Sequence, residues 1–235
     1  MDLPMREIKF PQSEPKRRLL EAAEQLFADK GFEAVSVRDI TKEAKANVAA
    51  VNYHFGSRDG LIALVVTRYM MPVNEERLAR LELLEKKWSG KSVPVEELID
   101  AFARPLVGSV RKSELSERLF CRLLGRIFSM QGEGLPQAVE SQMKTLSERF
   151  ARALGKALPT VTPEDLAWRM HFVAGALIHL LLNQEILHRL TSGVSGAPTV
   201  EATLGRFIRF AAAGLREGVE LEVATSKGPQ ATFDF

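Results

Sequence analysis

Along most of the chain apolar residues recur every three or four positions and strand-like alternation is scarce, which predicts an all-α protein. Ser13-Glu14-Pro15 is a helix start with proline in the first turn. Leu19, Leu20, Ala23, Leu26 and Phe27 then mark one apolar face, and Gly31 ends the helix. Ser36 and Asp39 form a capping-box pattern ahead of a short second helix, with Val37, Ile40 and Ala44 pointing inward. Lys45-Ala46 makes a turn. Asn47 caps a short third helix whose Val48, Val51 and Phe55 can face the core, and Gly56 stops it. Ser57 caps a fourth helix from Arg58 through Leu61, Leu64, Val65 and Arg68 to Trp88. A kink is expected at Pro72, and Gly60 is a weak point in the first turn.

Ser89-Gly90-Lys91-Ser92 is a breaker cluster and the clearest internal boundary. Beyond it the periodicity predicts helices over about 95–111, 114–130, 136–157, 163–190 and 199–219. Thr162-Pro163-Glu164-Asp165 is the strongest start signal among them, and Thr191 to Pro198 reads as a loop. The expected organisation is a flexible arm (1–12), a helix-turn-helix DNA-binding domain (13–56), a connecting helix (57–88), a helical ligand-binding and dimerisation domain (89–220) and a tail (221–235).

Two short helical patterns either side of a four-residue break, followed at once by a capped long helix, have the spacing of a helix-turn-helix. Double-stranded DNA is therefore the first partner to consider. Val51 and Phe55 lie four apart and share the buried face, which leaves Ala49, Ala50, Asn52 and Tyr53 outward. Small residues at 49 and 50 let the backbone approach a major groove. Asn52 can pair bidentately with adenine, and Tyr53 and His54 can reach phosphates or thymine methyls. Arg38, Lys42, Lys45 and Arg58 flank this surface and can bind backbone phosphates. In isolation Asn52 and Tyr53 read as ordinary exposed helix residues; the series of caps reverses this in favour of the DNA reading.

Composition changes this picture little. With 46% hydrophobic and 26% charged residues in 235, the chain reads as a globular protein able to bury a core without metal or disulfide. Its single cysteine, Cys121, excludes an intrachain disulfide and a cysteine-cluster metal site. The N-terminal residues contain no apolar segment of the signal-peptide kind. The greasiest stretch, Phe172 to Leu182, is about half the ~20 residues a membrane span needs. A cytoplasmic protein without membrane partner, metal or cofactor is expected. Net charge is only +2, and residues 1–70 hold eleven Lys/Arg against ten Asp/Glu, so DNA binding must rest on where charges fall.

The run V-R-D-I-T-K-E-A, then N-V-A-A-V-N-Y-H-F-G-S-R-D-G-L, with A-A-E-Q-L-F-A-D-K-G-F before it, resembles the DNA-binding domain of the TetR family of bacterial transcriptional regulators. The resemblance covers about residues 14–70 without a gap. It implies an all-helical homodimer in which three N-terminal helices bind DNA and the C-terminal helices form a ligand pocket and the dimer interface. The family's DNA-contacting positions fall on Arg38, Val48, Ala49, Ala50, Asn52, Tyr53, His54 and Arg58. One departure is Lys45, where the family usually has glycine. A non-glycine in a left-handed conformation costs on the order of 1 kcal/mol, and Lys45 could instead add a phosphate contact.

The C-terminal half is less explicit. Phe102, Leu106, Leu119, Phe120, Leu123, Leu124, Ile127 and Phe128 repeat at helical spacing, as do Trp168, Phe172, Leu177, Leu181 and Leu182; any core would show such stripes. The family keeps an apolar cavity between these helices. L-F-C-R-L-L-G-R-I-F-S, with W-R-M-H-F-V-A-G-A later, is similar to a branch whose members respond to long-chain fatty acids. This implies a small apolar or acyl effector in a pocket made by Phe102, Leu106, Phe120, Arg122, Leu123, Arg126, Ile127, Trp168, His171 and Phe172. Arg122 or Arg126 could then pair with a carboxylate. The other reading of Arg118, Arg122 and Arg126 is a solvated stripe pairing with Glu114 and Glu117. His171 and His179 lack metal-ligand spacing and read as core or pocket-edge residues. The last helix and helix 163–190 suit a four-helix dimer interface made by Leu177, Leu181, Leu204, Phe207, Ile208 and Ala211, with intramolecular packing as the alternative.

These readings predict a ligand-responsive regulator, with repression as the expected sign. It would bind a palindromic operator as a dimer and be released by its effector. Two alternatives stay open: a helical lipid-binding or scaffold protein without DNA binding, and an all-α enzyme using the C-terminal cavity. No carboxylate pair, nucleophile–base signature or phosphate loop supports the enzyme.

Overall fold

The computed structural model describes residues 13–113, 115–130, 135–183, 190 and 199–217, with the side chains of 111 and 112 excepted. The expected arm at 1–12, the loop at 191–198 and the tail at 221–235 lie outside the described residues. Among the described residues the chain forms nine helices and no strand. They are α1 (Glu14–Lys30), α2 (Val37–Glu43), α3 (Val48–Phe55), α4 (Arg58–Trp88), α5 (Val95–Lys112), α6 (Glu117–Phe128), α7 (Gln137–Ala157), α8 (Pro163–Leu182) and α9 (Val200–Arg216).

Short-range chemistry writes most of the helix ends. Ser36 Oγ accepts from the Asp39 N–H, and the Asp39 carboxylate accepts from the Ser36 N–H at 2.9 Å, which completes the capping box. Asn47 Oδ1 accepts from the Ala50 N–H at 2.8 Å and Ser57 Oγ from the Gly60 N–H at 3.0 Å. Thr162 and Thr199 cap α8 and α9 in the same way. Gly31 and Gly56 close α1 and α3 at φ 87 and 76°, a region that favours glycine.

Around Leu19, Leu20, Ala23 and Phe27 of α1 pack Val35, Ile40, Val51, Leu61 and Val65, all buried. Each such aliphatic side chain is worth about 1.5–3 kcal/mol of burial, so this small bundle is held chiefly by its apolar faces. The first turn of α4 belongs to it. The rest of α4 packs on α5 and α7, α9 closes on α5 and α8, and α1 lies along α6. Ion pairs tie the outer layers: Arg149 to Glu85 and a bidentate Arg216 to Glu96, each at 2.5 Å. Exposed pairs of this kind contribute about 0–1 kcal/mol.

The structure corrects several expectations. Helix α6 starts at Glu117 behind the Ser116 cap, three residues later than the periodicity suggests. Helix α8 ends at Leu182 with Asn183 as C-cap, not near residue 190. Residues 184–189 lie outside the described set. Val48, expected inside, is the first residue of α3 and is 45% exposed. Helix α8 also reaches the length and mean hydropathy, 1.2, that a membrane span requires, so the shorter apolar stretch read from the sequence understates it. It packs against α6, α7 and α9, burying Leu166, Val173, Leu177 and Leu181.

Candidate nucleic-acid interface and interhelical cavity

Helix α3 presents Val48, Ala49, Asn52 and Tyr53 to solvent, with Tyr53 85% exposed. Ala50 and His54 are half-buried. The His54 ring meets Tyr53 edge-on at 5.0 Å, which restrains both. Arg38 on α2 and Lys45 in the turn are exposed beside α3. Its inner side is anchored by Val51, which is fully buried. The arrangement is a short helix with small residues at its start, an amide and a phenol at its centre, and cations at its flank. That is the chemistry a major groove accepts.

The turn between α2 and α3 is a complete Schellman motif. The Ala46 N–H donates to the Thr41 carbonyl at 2.9 Å and the Lys45 N–H to that of Lys42 at 3.3 Å. Its C′ position is Lys45, at φ 50°. The left-handed conformation anticipated for this residue is present, carried by a side chain that disfavours it.

Arg58 is placed differently from the expectation. Its guanidinium donates to the backbone carbonyls of Phe32 and of Val35, the latter at 2.9 Å. It therefore holds the α1–α2 loop against the start of α4 and is not held out toward a phosphate. Gly60 is also not a weak point. A Cβ there would run into the Phe55 carbonyl oxygen, so glycine lets α4 leave directly beneath the end of α3.

A cavity of about 390 Å³ lies between α4, α5, α6, α7 and α8. Of the residues expected to line it, Phe102, Leu106 and His171 do so. Phe120, Leu123 and Ile127 are buried in the core but do not border the cavity. Trp168 and Phe172 point outward, 57% and 64% exposed, because they sit one step around α8 from Met170, His171 and Ala174. Arg122 and Arg126 face α1. Arg122 pairs with Asp29 at 2.7 Å, and the Arg126 guanidinium lies 3.4 Å from the place a Cβ on Gly31 would occupy. The polar groups of the cavity are instead Asn74, Arg77, Ser147 and His171.

The residues expected to form the dimer interface are also largely internal. Leu177 lines the cavity, and Leu181, Leu204, Phe207 and Ala211 are 1–6% exposed in the protomer core; Ile208 is half-buried. The reason is that α8 is apolar nearly all round, and its inner stripe is the more regular. The outer stripe holds Trp168, Phe172, Gly175 and Leu182, and Phe210 on α9 is 71% exposed.

The chain matches two family models: "Bacterial regulatory proteins, tetR family" over residues 19–65, and "Tetracyclin repressor-like, C-terminal domain" over residues 100–214. Among curated relatives, "Probable HTH-type transcriptional regulator YttP" of Bacillus subtilis (strain 168) is 41% identical over 54 residues, 23% of this chain and 26% of that protein. The "HTH-type transcriptional repressor Rv3405c" of Mycobacterium tuberculosis (strain ATCC 25618 / H37Rv) is 38% identical over 61 residues, 26% of this chain and 32% of that one. The chain thus matches about a quarter to a third of these relatives' length. A TetR-family transcriptional regulator from Streptomyces coelicolor has the same fold, with a TM-score of 0.54 at 16% identity over 86% of this chain and 89% of that one. The two models together span more than half of the sequence and fit both halves of the architecture: this chain belongs to the TetR family.

Proposed function

We propose that this chain is a cytoplasmic, non-enzymatic transcriptional repressor that binds a palindromic operator as a homodimer and is released by a small effector in the α4–α8 cavity. The observation that carries the reading is the exposed face of α3. It offers Ala49, Asn52 and Tyr53 on a helix fixed by Val51, two caps and the Gly60 junction. Arg38 and Lys45 supply phosphate contacts beside it. Arg58 acts indirectly, by holding the α1–α2 loop.

The outer faces of α8 and α9 support the dimer, since each leaves large aromatics exposed, Trp168 and Phe172 on α8 and Phe210 on α9, that a second copy would cover. Two copies related by a two-fold axis would present two α3 helices to half-sites about one helical turn or more apart. An effector releases DNA only if it binds the two spacings unequally.

The test is a salt-controlled mobility-shift assay on an operator selected from random DNA. Asn52→Ala with Tyr53→Ala should abolish specific binding while sedimentation still reports a dimer. Unchanged specific binding by the double variant would refute the assignment. Failure to enrich any DNA would favour a lipid-binding or scaffold role.

A further inference from the structure

The middle of α4 carries a buried cation that meets no counter-charge among the described residues. Arg77 is 5% exposed and lines the cavity. Its Nε donates to the Phe102 carbonyl at 2.7 Å and its Nη1 to Asn74 Oδ1 at 3.1 Å. The guanidinium lies 4.2 Å from the Phe102 ring centroid. Among the described residues no carboxylate pairs with it. Burial pulls its pKa down to about 10, which leaves it a cation at neutral pH. Asn74, one turn earlier on the same face, is fully buried, and its Nδ2 has no hydrogen-bond partner.

The rest of the lining sharpens the point. It includes Phe102, Phe150, Leu166 and Met170 and contains no aspartate or glutamate among the described residues. An unpaired buried charge and an unsatisfied buried amide are each costly, and the two residues that carry them, Arg77 and Asn74, line the same apolar space. A ligand that brings one negative head and an apolar body satisfies both.

We infer that the cavity takes an amphipathic monoanion, a carboxylate on an apolar body, whose head is held by the Arg77 guanidinium and the Asn74 amide Nδ2. This rests on the reading of the cavity as the effector site and names the effector's chemistry. A single guanidinium and one neutral amide match one negative charge, where a phosphate dianion would leave charge uncompensated in an apolar wall. At about 390 Å³ the cavity lies at the lower end of the roughly 300–1,000 Å³ of small-molecule sites, a size that suits a medium-chain or aryl-alkyl acid. The anchoring arginine lies on α4; Arg122 and Arg126 of α6 face α1.

The experiment is calorimetric titration of the full chain, without DNA, with decanoate and with 1-decanol. Decanoate should bind at least tenfold more tightly than the alcohol. Arg77→Met should remove that preference, and Asn74→Leu should weaken decanoate severalfold with little effect on decanol. Circular dichroism checks that the variants fold. A measurement needing no variant is the carboxyl resonance of 1-¹³C-decanoate bound to the unaltered protein, which should stay ionised to lower pH than in free solution. Decanol binding as tightly as decanoate, undiminished decanoate binding by folded Arg77→Met, or no decanoate binding would each overturn the inference. Because DNA is absent, these outcomes are separate from failure of the regulator reading, which the operator assay reports. Decanoate binding that leaves the operator complex intact would refute the effector role and keep the anion site.

Discussion

Lys45→Gly separates two contributions of one residue. In the structure Lys45 occupies the C′ position of a Schellman motif at φ 50°. A side chain in that region costs about 1–2 kcal/mol relative to glycine. Glycine gives back roughly 0.5–1 kcal/mol through its greater freedom in the unfolded chain. The net expectation is stabilisation by about 0.5–1 kcal/mol, a rise in Tm of roughly 1–4 °C for a chain of this length. Lys45→Gln keeps the strain and removes the charge, so its Tm should not change. Both variants lose a phosphate contact if Lys45 makes one on the operator. Each should then lower the slope of log affinity against log salt by about 0.9 per protomer. Differential scanning calorimetry and salt-titrated binding read the two effects independently. Destabilisation by glycine would refute the backbone reasoning, and an unchanged salt slope in both variants would remove Lys45 from the interface.

The remaining expectations address the junction, the dimer and acid stability. Gly60→Ala should cost about 2 kcal/mol in urea unfolding, because the Phe55 carbonyl must shift to admit a Cβ; wild-type stability would contradict the close approach. Trp168→Glu with Phe210→Glu places charges on the exposed apolar faces of α8 and α9 and should yield monomers by analytical ultracentrifugation. Persistence of the dimer would mean that another surface forms it. Asp39 is held below the ordinary carboxylate range chiefly by its hydrogen bonds with Ser36, and Glu96 by Arg216. A depressed carboxylate stabilises the fold above its unfolded pKa and loses that contribution as pH falls through the lower folded value. Ser36→Ala and Arg216→Ala should therefore flatten the acid limb of stability below about pH 4.5 and narrow their gap from wild type as pH falls further; a gap that widens with acid would refute the linkage.

What was legible in the sequence was local. Ser36, Asn47, Ser57 and Thr162 act on N–H groups three residues away, and Gly31 and Gly56 act through their own backbone, so reading neighbours suffices. What was not legible depends on partners far along the chain. An arginine at a helix start reads the same whether it meets a phosphate or, as Arg58 does, carbonyls more than 20 residues back. Arg122 looked like part of a solvated stripe until α1 brought Asp29 to it, 93 residues away. The residues expected at a dimer face are mostly internal to the chain because α8 offers two apolar stripes, and periodicity does not say which one faces inward. Arg77 and Asn74 did leave a trace. With Met70 and Leu81 they occupy positions 70, 74, 77 and 81, the spacing of one buried helix face, so two polar residues interrupt an inner stripe.

That stripe bears on how a cavity ligand could reach the DNA surface. The recognition helix rests on two supports. Helix α3 is seated on the first turn of α4 through Gly60, while α1 packs along α6 and is joined to it by Arg122–Asp29. Arg58 joins the supports by holding the α1–α2 loop to the start of α4. Gly60 and Asn74 are roughly 20 Å apart along one continuous helix at ~1.5 Å per residue. A head group engaging Asn74 and Arg77 would therefore act on the same helix on which α3 is seated, with Pro72 between the two points, whereas α6 contributes only Phe128 to the cavity wall. The three-helix head is compact and well capped, so a shift of α4 relative to α6 would turn it as a body and leave its internal packing alone. In a dimer each head turns about its own α4, and small rotations become a change in the distance between the two α3 helices. On the proposed function, ligand binding would couple to DNA binding through the position of α4, with a coupling no larger than the ligand's preference for one position over the other.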